Sequence, residues 1–487
     1  MNKKETFYKI LVIITLISLA LLLVPKTFQN DTFYSIKIGK DVLINGIDMI
    51  DHYSFTNGLT YTYPHWLFDI MIYTSYYLGG YTGIYILTLC ISLILLFTMY
   101  YVSSKLTNNK YVSFFVVIMS SFALRNFLVA RAQIISFIMF LIIIYSIEML
   151  RKTNKKKYYL YSFLSALVIA NTHLAVWPFI FVLFMPYIVQ DIIYLIKKKT
   201  KKEFLDDSKI IIEKSKLKET IICLLLLLLT GFMTPNFLVP YTYLIKTELG
   251  ISTKYIDEHR APLPKEIPYL YISFGLAFFT LLLKNIKIKL KDLFFIFGLA
   301  LVALLSYRSI ALYVILTSFC FSSLFANFFE TRKLELKPIF NNKVFVTITI
   351  IVFASTLYFL IPYEYKKEYV AKKYPIFATE YIKENLDYEN IRLYNDYEIG
   401  SYLLMNDIPV FIDSRADLYL EEFNTNCTIF KDFLDFNDEY KSIIKKYDIT
   451  HLLLKKNSKV RKEIKDNKDY NIIYSDDDYS IYEVLTK

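Results

Sequence analysis

The stretch KTFQNDTFYSIKIGKDVLINGIDMIDHYSFTNGLTYTYPHW, residues 26–66, is the first long polar segment of the chain and follows an apolar run. It contains four carboxylates, two of the five histidines and one of the two tryptophans of the protein: Asp31, Asp41, Asp48, Asp51, His52, His65 and Trp66. Most of the chain after it is apolar until a polar tail begins. So many reactive side chains at the start of an apolar chain point to a chemical role.

Long apolar runs are typical of a polytopic membrane protein. The 487 residues are 55% hydrophobic and have a mean hydropathy of +0.37. About 20 apolar residues are enough to cross a bilayer as a helix, and continuous rather than alternating runs favour helices over a barrel. The first run, 8–25, lacks a small-x-small cleavage site, so we expect a retained transmembrane helix rather than a signal peptide.

Eleven runs are predicted to span the membrane. They are 8–25, 82–104, 111–129, 132–150, 158–172, 174–195, 219–235, 269–283, 292–307, 309–330 and 344–361. The segment 66–79 is amphipathic, contains Asp69 and ends before Gly79-Gly80, so we expect a helix at the membrane interface. We call residues 26–80 the first loop.

Basic residues predict the orientation. Lys and Arg are concentrated in alternate loops, at 151–157, 197–218, 284–291 and 330–343, while the loop at 107–110 has a single Lys. These loops are expected in the cytoplasm with the N-terminus, which places the first loop, 236–268 and the tail, residues 362–487, outside. The net charge of +11 comes from the membrane part, because the chain from Ile361 onward has 19 Lys and Arg against 25 Asp and Glu. Membrane topology explains this charge better than nucleic-acid binding does.

The tail alternates short helical and strand patterns. Strands are predicted at IRLYND (391–396), IPVFIDS (408–414), THLLLK (450–455), YNIIY (470–474) and YSIYEVL (479–485). Helices are predicted at 374–386, 398–406, 417–423 and 439–447. This predicts a soluble extracytoplasmic α/β domain at 362–487, after a transmembrane domain at 1–361. It contains no GxSxG, no HExxH and no glycine-rich phosphate loop.

Charged side chains at the predicted outer face are candidates for a reactive site. Arg131 and Arg308 lie in short turns between spans, and Glu258 lies in an outer loop beside His259. Arginines suit a phosphate, and carboxylates beside histidines suit proton transfer or metal binding. The same residues have structural interpretations: the arginines as interfacial anchors, Asp41 as a helix cap, and His65-Trp66 as part of an aromatic belt.

The chain resembles the GT-C superfamily of integral membrane glycosyltransferases, and within it a bacterial branch with a set of ordered motifs. These read here as Asp31-Thr32-Phe33-Tyr34, Gly39, Asp51-His52-Tyr53-Ser54-Phe55-Thr56, Trp66-Leu67, Gly79-Gly80, Arg131-Ala132-Gln133, Asn395-Asp396, Gly400, Tyr402-Leu403 and Phe411-Ile412-Asp413-Ser414-Arg415. The branch often has tryptophans and a histidine after the first aspartate, which this chain lacks, and Ala132 replaces a proline. The order of the motifs and the predicted topology carry the resemblance.

The resemblance implies a fold, an activity and a set of site residues. The fold would be GT-C-like, with about eleven transmembrane helices and the α/β tail. The first loop would carry the active site, with Asp31 as catalytic base and Asp51 as a second catalytic residue. Substrate would be bound by His52, His65, Trp66, Arg131, Gln133, Glu258 and Arg308. Some members use a divalent cation, so Mg²⁺ or Mn²⁺ stays open.

The expected function is an inverting glycosyltransferase of the cell membrane. It would move a hexose or pentose from a polyprenyl-phosphate donor to a glycan, lipid or protein acceptor of the cell envelope. A flippase or transporter of a lipid-linked or anionic solute is the alternative, although no matched pair of broken helices is visible. A non-catalytic scaffold with an acidic outer domain is a third hypothesis.

Overall fold

The computed structural model describes residues 3–56, 58–201, 209–336, 342, 346–349, 351 and 373–485. Its helices are α1 (Lys3–Leu23), α2 (Asn30–Asn45), α3 (Trp66–Thr107), α4 (Lys110–Ser121), α5 (Gln133–Thr153), α6 (Lys157–Thr172), α7 (Phe179–Thr200), α8 (Leu217–Leu228), α9 (Val239–Leu249), α10 (Ser252–Tyr255), α11 (Pro268–Leu282), α12 (Leu290–Leu305), α13 (Ile310–Thr331), α14 (Ile376–Asn385), α15 (Tyr397–Met405), α16 (Ile429–Lys446) and α17 (Lys459–Ile464). Its strands are β1 (Ile210–Ile211), β2 (Ile288–Lys289), β3 (Leu393–Tyr394), β4 (His451–Lys455), β5 (Tyr470–Ser475) and β6 (Tyr479–Val484).

The first of two compact units, which we call the helical unit, consists of residues 1–25, 86–241 and 256–363. Ten of the eleven predicted spans coincide with helices of the described residues. The eleventh, 344–361, lies largely outside the described residues. Five helical stretches are long and apolar enough to cross a membrane: Glu5–Leu23, Trp66–Thr107, Gln133–Thr153, Leu174–Thr200 and Tyr307–Thr331. The chain is therefore a multi-pass membrane protein, and the number eleven stays a prediction.

The segment 66–79 belongs to the long helix α3. Gly79 and Gly80 have non-helical dihedral angles, and Gly80 has a φ of 57°, so the helix is kinked there. The glycine pair thus bends the chain, as its composition suggested, but the segment before it continues into the next predicted span. Its position at the membrane interface stays a prediction.

Buried charges hold the helical unit together near the ends of four helices. Arg151 of α5 donates to both carboxylate oxygens of Asp191 of α7, at 2.7 and 2.8 Å, and to Thr220 of α8 at 2.9 Å. Lys291 of α12 is 1% exposed and pairs with Glu148 of α5. Because buried charges are tolerated only when paired, these contacts fix the helices against one another.

The second unit, which we call the loop–tail unit, consists of residues 26–85, 242–255 and 364–487. Its sheet has the order β3-β4-β6-β5, with β3 parallel to β4 and the other neighbours antiparallel. Helix α2 of the first loop packs on α15 of the tail. The first loop and the tail therefore share one core, and the division of the chain into domains at 361/362 stays a prediction, since residues 352–372 lie outside the described part.

Two predicted elements of the tail were wrong. Residues 408–414 do not join the sheet; Val410 forms a parallel bridge with Ser54 of the first loop, with backbone hydrogen bonds of 3.2 Å to Tyr53 and Phe55. Residues 417–423 contain a single 3-10 turn, Ala416–Tyr419, rather than a helix. The alternating pattern at 408–414 correctly indicated extended backbone, but the segment pairs with the first loop, which is distant in the sequence, and not with a neighbouring strand.

Close backbone contacts explain two of the motif glycines. A Cβ on Gly39 would lie 2.0 Å from the carbonyl oxygen of Asp69, so only glycine lets α2 approach the start of α3. A Cβ on Gly400 would lie 2.0 Å from the carbonyl oxygen of Ile412. These contacts fix α2 and α15, which position the candidate site residues of the loop–tail unit.

Candidate active site

The helical unit brings two arginines together around one loop. Arg131, just before α5, donates to a carboxylate oxygen of Glu258 at 2.5 Å. Arg308, between α12 and α13, lies 3.2 Å from Nε2 of His259. Three of the predicted substrate-binding residues, Arg131, Glu258 and Arg308, therefore converge, and His259 lies among them. Both arginines are half-buried.

The loop that carries Glu258 and His259 is held in place by hydrogen bonds. Arg260 makes a two-pronged contact with Glu266, at 2.8 and 2.9 Å, and Glu266 also accepts from the backbone N–H of Leu263. The backbone N–H of Tyr307 donates to the carbonyl of Arg260 at 2.9 Å. The loop is thereby attached to the turn that carries Arg308, which fixes the spacing of the cluster.

The electrostatics of this cluster favour an anion. Burial, and after it the charges of Arg308 and Arg131, together lower the pKa of His259 to about 4. The imidazole is therefore neutral at physiological pH, and its Nε2 accepts from Arg308 while Nδ1 carries the proton. Arg131 pairs with the carboxylate of Glu258, and Arg308 contacts His259, so these four residues together carry one net positive charge. A phosphate diester matches this charge.

The loop–tail unit holds the predicted base. Asp31 is half-buried in the first turn of α2, where the helix dipole favours a negative charge. Burial raises the pKa of Tyr374, and the negative charge of Asp31 raises it further, which places the two groups near one another. Asp69, fully buried in the first turn of α3, also interacts electrostatically with Asp31. Sequence reasoning did not include Asp69 among the site residues.

Asp51, the second predicted catalytic residue, is enclosed in a buried network. One carboxylate oxygen accepts from Arg415 at 2.6 Å, and the other accepts from the hydroxyl and the backbone N–H of Ser54. Asp413 accepts three hydrogen bonds from the Arg415 side chain, at 2.6, 2.9 and 3.2 Å, and one from Tyr419 at 2.6 Å. The side chains of Asp51 and Asp413 have no exposed area. This geometry favours a structural role for Asp51, whose catalytic role stays a prediction.

The other predicted residues lie apart from this network. His52 is exposed and bonds to Asp48 at 2.6 Å. His65 bonds through Nδ1 to the hydroxyl of Tyr34 at 3.3 Å, and Trp66 begins α3 and packs against the core of the loop–tail unit. Gln133, in the helical unit, donates to the carbonyl of Phe127 at 3.3 Å and so closes the turn before α5.

A divalent cation such as Mg²⁺ or Mn²⁺ would need carboxylate or imidazole ligands close together. No three His, Cys, Asp or Glu side chains are grouped as metal ligands within the described residues. Both oxygens of Asp51 are occupied by protein donors, and the hydrogen bond seen for His52 is to Asp48. The need for Mg²⁺ or Mn²⁺ stays open.

Sequence reasoning missed two partners that complete these sites. His259 was noted only as a neighbour of Glu258, although it contacts Arg308 directly. Arg415 was part of a motif, but nothing in its spacing revealed that it pairs with Asp51, 364 positions away. The sequence offered one signal for this pair: Asp51 and Arg415 both belong to motifs of the same family, as the two members of a buried ion pair would.

Similar folds are known among membrane glycosyltransferases. The chain superposes on the oligosaccharyltransferase of Archaeoglobus fulgidus, solved with a tethered acceptor peptide, with a TM-score of 0.54, 11% identity, and coverage of 93% of this chain and 69% of that one. It also superposes on ArnT from Cupriavidus metallidurans, solved with undecaprenyl phosphate, with a TM-score of 0.53, 10% identity, and coverage of 98% and 97%. No protein-family model matches the sequence, and no curated protein matches it significantly. The GT-C fold that the resemblance implied is therefore confirmed at the level of the fold, while the eleven spans and the separate α/β tail stay predictions.

Proposed function

We propose that the protein is an inverting glycosyltransferase that moves a sugar from a polyprenyl phosphate to an acceptor of the cell envelope, outside the cytoplasm. The observation that carries the proposal is the pair Arg131 and Arg308 around a neutral His259, on a fold that extends over nearly all of ArnT. ArnT was solved with undecaprenyl phosphate, whose phosphate is the kind of anion that such a pair can hold.

The proposed reaction needs a base and an anion site. The carboxylate of Asp31 takes the proton of an acceptor hydroxyl as its oxygen attacks the anomeric carbon. The bond from that carbon to the phosphate oxygen breaks, and its electron pair leaves with the lipid phosphate. Arg131 and Arg308 stabilise the negative charge that develops on this phosphate. Such stabilisation by fixed donors is usually the largest single contribution to catalysis.

A transfer assay on the full chain in nanodiscs tests the proposal. Wild type is given a panel of radiolabelled polyprenyl-phosphate sugars, with native membrane extract as the acceptor. Asp31→Asn is expected to lower kcat about 100- to 10,000-fold, since a general base contributes two to four orders of magnitude. Asp438→Asn is the matched control, because Asp438 is an exposed carboxylate of the tail paired with Lys459.

The carrier alternative is favoured by the charges buried in the helical unit, Arg151, Asp191, Glu148 and Lys291, since charged groups inside membrane proteins often serve transport. Proteoliposomes separate the two functions. Transfer of the sugar by wild type, lost in Asp31→Asn, supports the enzyme. Movement of lipid-linked sugar across the bilayer without transfer to any acceptor would replace the enzyme by a carrier.

A further inference from the structure

A groove of about 600 Å³ lies within the loop–tail unit. Its walls are one face of α2, the segment 48–63 of the first loop and the loop 404–409 of the tail. The volume falls within the range of about 300 to 1,000 Å³ that is usual for small-molecule sites. The groove is distinct from the buried network of Arg415: of the two, only Tyr53 is shared, since it lines the groove and its ring lies under the Arg415 guanidinium.

The groove is built on fixed backbone. Lys37, Asp41 and Asn45 follow one another at intervals of four residues, so they share one face of α2. Gly46, with a φ of 79°, ends the helix and turns the chain toward the second wall. That wall is closed by backbone hydrogen bonds from Asp51 to Leu59 and from Tyr61 to Met49, at 2.9 and 3.0 Å.

The polar groups of the groove are held in position by one another. Lys37 pairs with Asp41 at 3.3 Å and with Asp407 at 3.0 Å. Asp48 accepts from the hydroxyl of Tyr63 at 3.3 Å and contacts His52 at 2.6 Å. The carboxylates of Asp48 and Asp407 and the ring of His52 remain about half exposed, at 49%, 54% and 55%. They are therefore oriented and still accessible to a ligand.

The charge of the groove indicates what it excludes. Four carboxylates, Asp41, Asp48, Glu389 and Asp407, face a single lysine, Lys37. The negative potential disfavours phosphates, in contrast to the cluster of Arg131 and Arg308. A lipid phosphate donor therefore does not suit the groove, and an uncharged partner rich in hydroxyl groups does.

Sugar chemistry fits the remaining features. Carboxylates accept hydrogen bonds from hydroxyl groups, and the lysine ammonium donates to ring and hydroxyl oxygens. The largely buried Tyr53 and Tyr63 line the groove and add apolar surface to its polar groups. We propose that this groove binds a neutral oligosaccharide, the growing acceptor chain, and so holds it for elongation. This inference rests on the proposed function and names the class of its acceptor.

Binding to the full chain in nanodiscs tests the groove without catalysis. The probes are neutral di- to tetrasaccharides of glucose, galactose, mannose and N-acetylglucosamine, measured by saturation-transfer NMR and calorimetry. Asp407→Ala/Glu389→Ala removes two exposed carboxylates of the groove, and Asn45→Trp fills the groove from an exposed position of α2. Asp438→Ala is the matched control, because it also removes an exposed aspartate paired with a lysine.

At least one probe is expected to bind wild type and Asp438→Ala, with Kd raised about tenfold or more in both groove variants, which corresponds to about 1.4 kcal/mol. Equal binding by all four proteins, or no binding of any saccharide to wild type, overturns the proposal. Binding of pentalysine or Ca²⁺ that the groove variants abolish, with no saccharide binding, also overturns it and assigns a cationic ligand instead.

The two proposals fail in distinguishable ways. If saccharide binding depends on the groove but no donor supports transfer, the proposed glycosyltransferase function fails and the groove proposal stands as a binding site. If Asp31→Asn loses transfer but the groove variants keep the wild-type kcat/KM for long acceptors, the groove proposal fails and the proposed glycosyltransferase function stands. Where both hold, kcat/KM for a tetrasaccharide acceptor falls about tenfold in the groove variants, while kcat/KM for the shortest accepted sugar stays within twofold.

Discussion

Arg415 of the loop–tail unit differs in its surroundings from Arg131 and Arg308 of the helical unit. Arg415 of the loop–tail unit is 5% exposed and donates to two carboxylates, Asp51 and Asp413, while the rings of Tyr53 and Tyr61 lie about 5 Å from its guanidinium. Arg131 and Arg308 of the helical unit are half-buried, and each is seen with a partner in one loop. An arginine surrounded by buried protein acceptors stabilises the fold, and Arg415 fits that role. Arg131 and Arg308 are the residues to which the proposed function assigns the lipid phosphate, and that role stays a proposal.

The largest expected effect is on stability, in Arg415→Met. The substitution leaves Asp51 and Asp413 buried without their cation, and breaking a buried pair in this way costs about 3 to 5 kcal/mol. Hydrogen exchange of the β4 and β6 amides in the full chain, in nanodiscs, measures the loss. Arg392→Met is the control, because Arg392 donates to the carbonyl of Tyr447 rather than to a carboxylate. Equal protection in the two variants would contradict the structural role.

This pairing shows what the sequence could and could not predict. Continuous apolar runs predicted the helices of the helical unit, because a run long enough to cross a bilayer has few other structures available. The ordered motifs indicated the GT-C fold. Neither observation could reveal that Asp51 pairs with Arg415, since contacts between distant segments depend on the assembled core rather than on local pattern.

The buried charges of the helical unit were missed for a different reason. Lys291 and Arg151 lie in or next to Lys-rich segments that were interpreted as topology signals, and they carry the same charge as their exposed neighbours. Only packing shows that they contact Glu148 and Asp191. The same limitation applies to 408–414, whose alternating pattern is identical whether the partner is the sheet or the first loop.

The second effect is on activity, in Arg131→Gln and Arg308→Gln. Each substitution removes a charged donor from the proposed phosphate site, so each is expected to lower kcat/KM for the lipid donor about 10- to 100-fold, and the double variant about 100- to 1,000-fold. Hydrogen exchange in the loop–tail unit should not change. Arg308→Lys keeps the charge without the planar fork and should recover part of the loss. An unchanged kcat/KM in the double variant would show that Arg131 and Arg308 do not bind the lipid phosphate.

The smallest effect is a pH dependence that originates from His259. Burial, Arg308 and Arg131 lower its pKa to about 4, whereas in the unfolded chain it is about 6.5. Between these values the unfolded state binds the proton and the folded state does not, so the free energy of unfolding falls as pH decreases from 6.5 to 4. Because the ring is partly exposed, we expect a loss of about 1 to 2 kcal/mol.

Thermal unfolding of wild type and His259→Gln at pH 7.5 and pH 5 measures this effect. Glutamine keeps a neutral side chain at the position and does not titrate, so the variant should lose less Tm than wild type between the two pH values. Arg308→Gln removes one of the two charges that oppose protonation, so its loss should lie between those of wild type and His259→Gln. Identical losses in all three proteins would mean that His259 titrates normally, and the neutral imidazole between the two arginines would have to be abandoned.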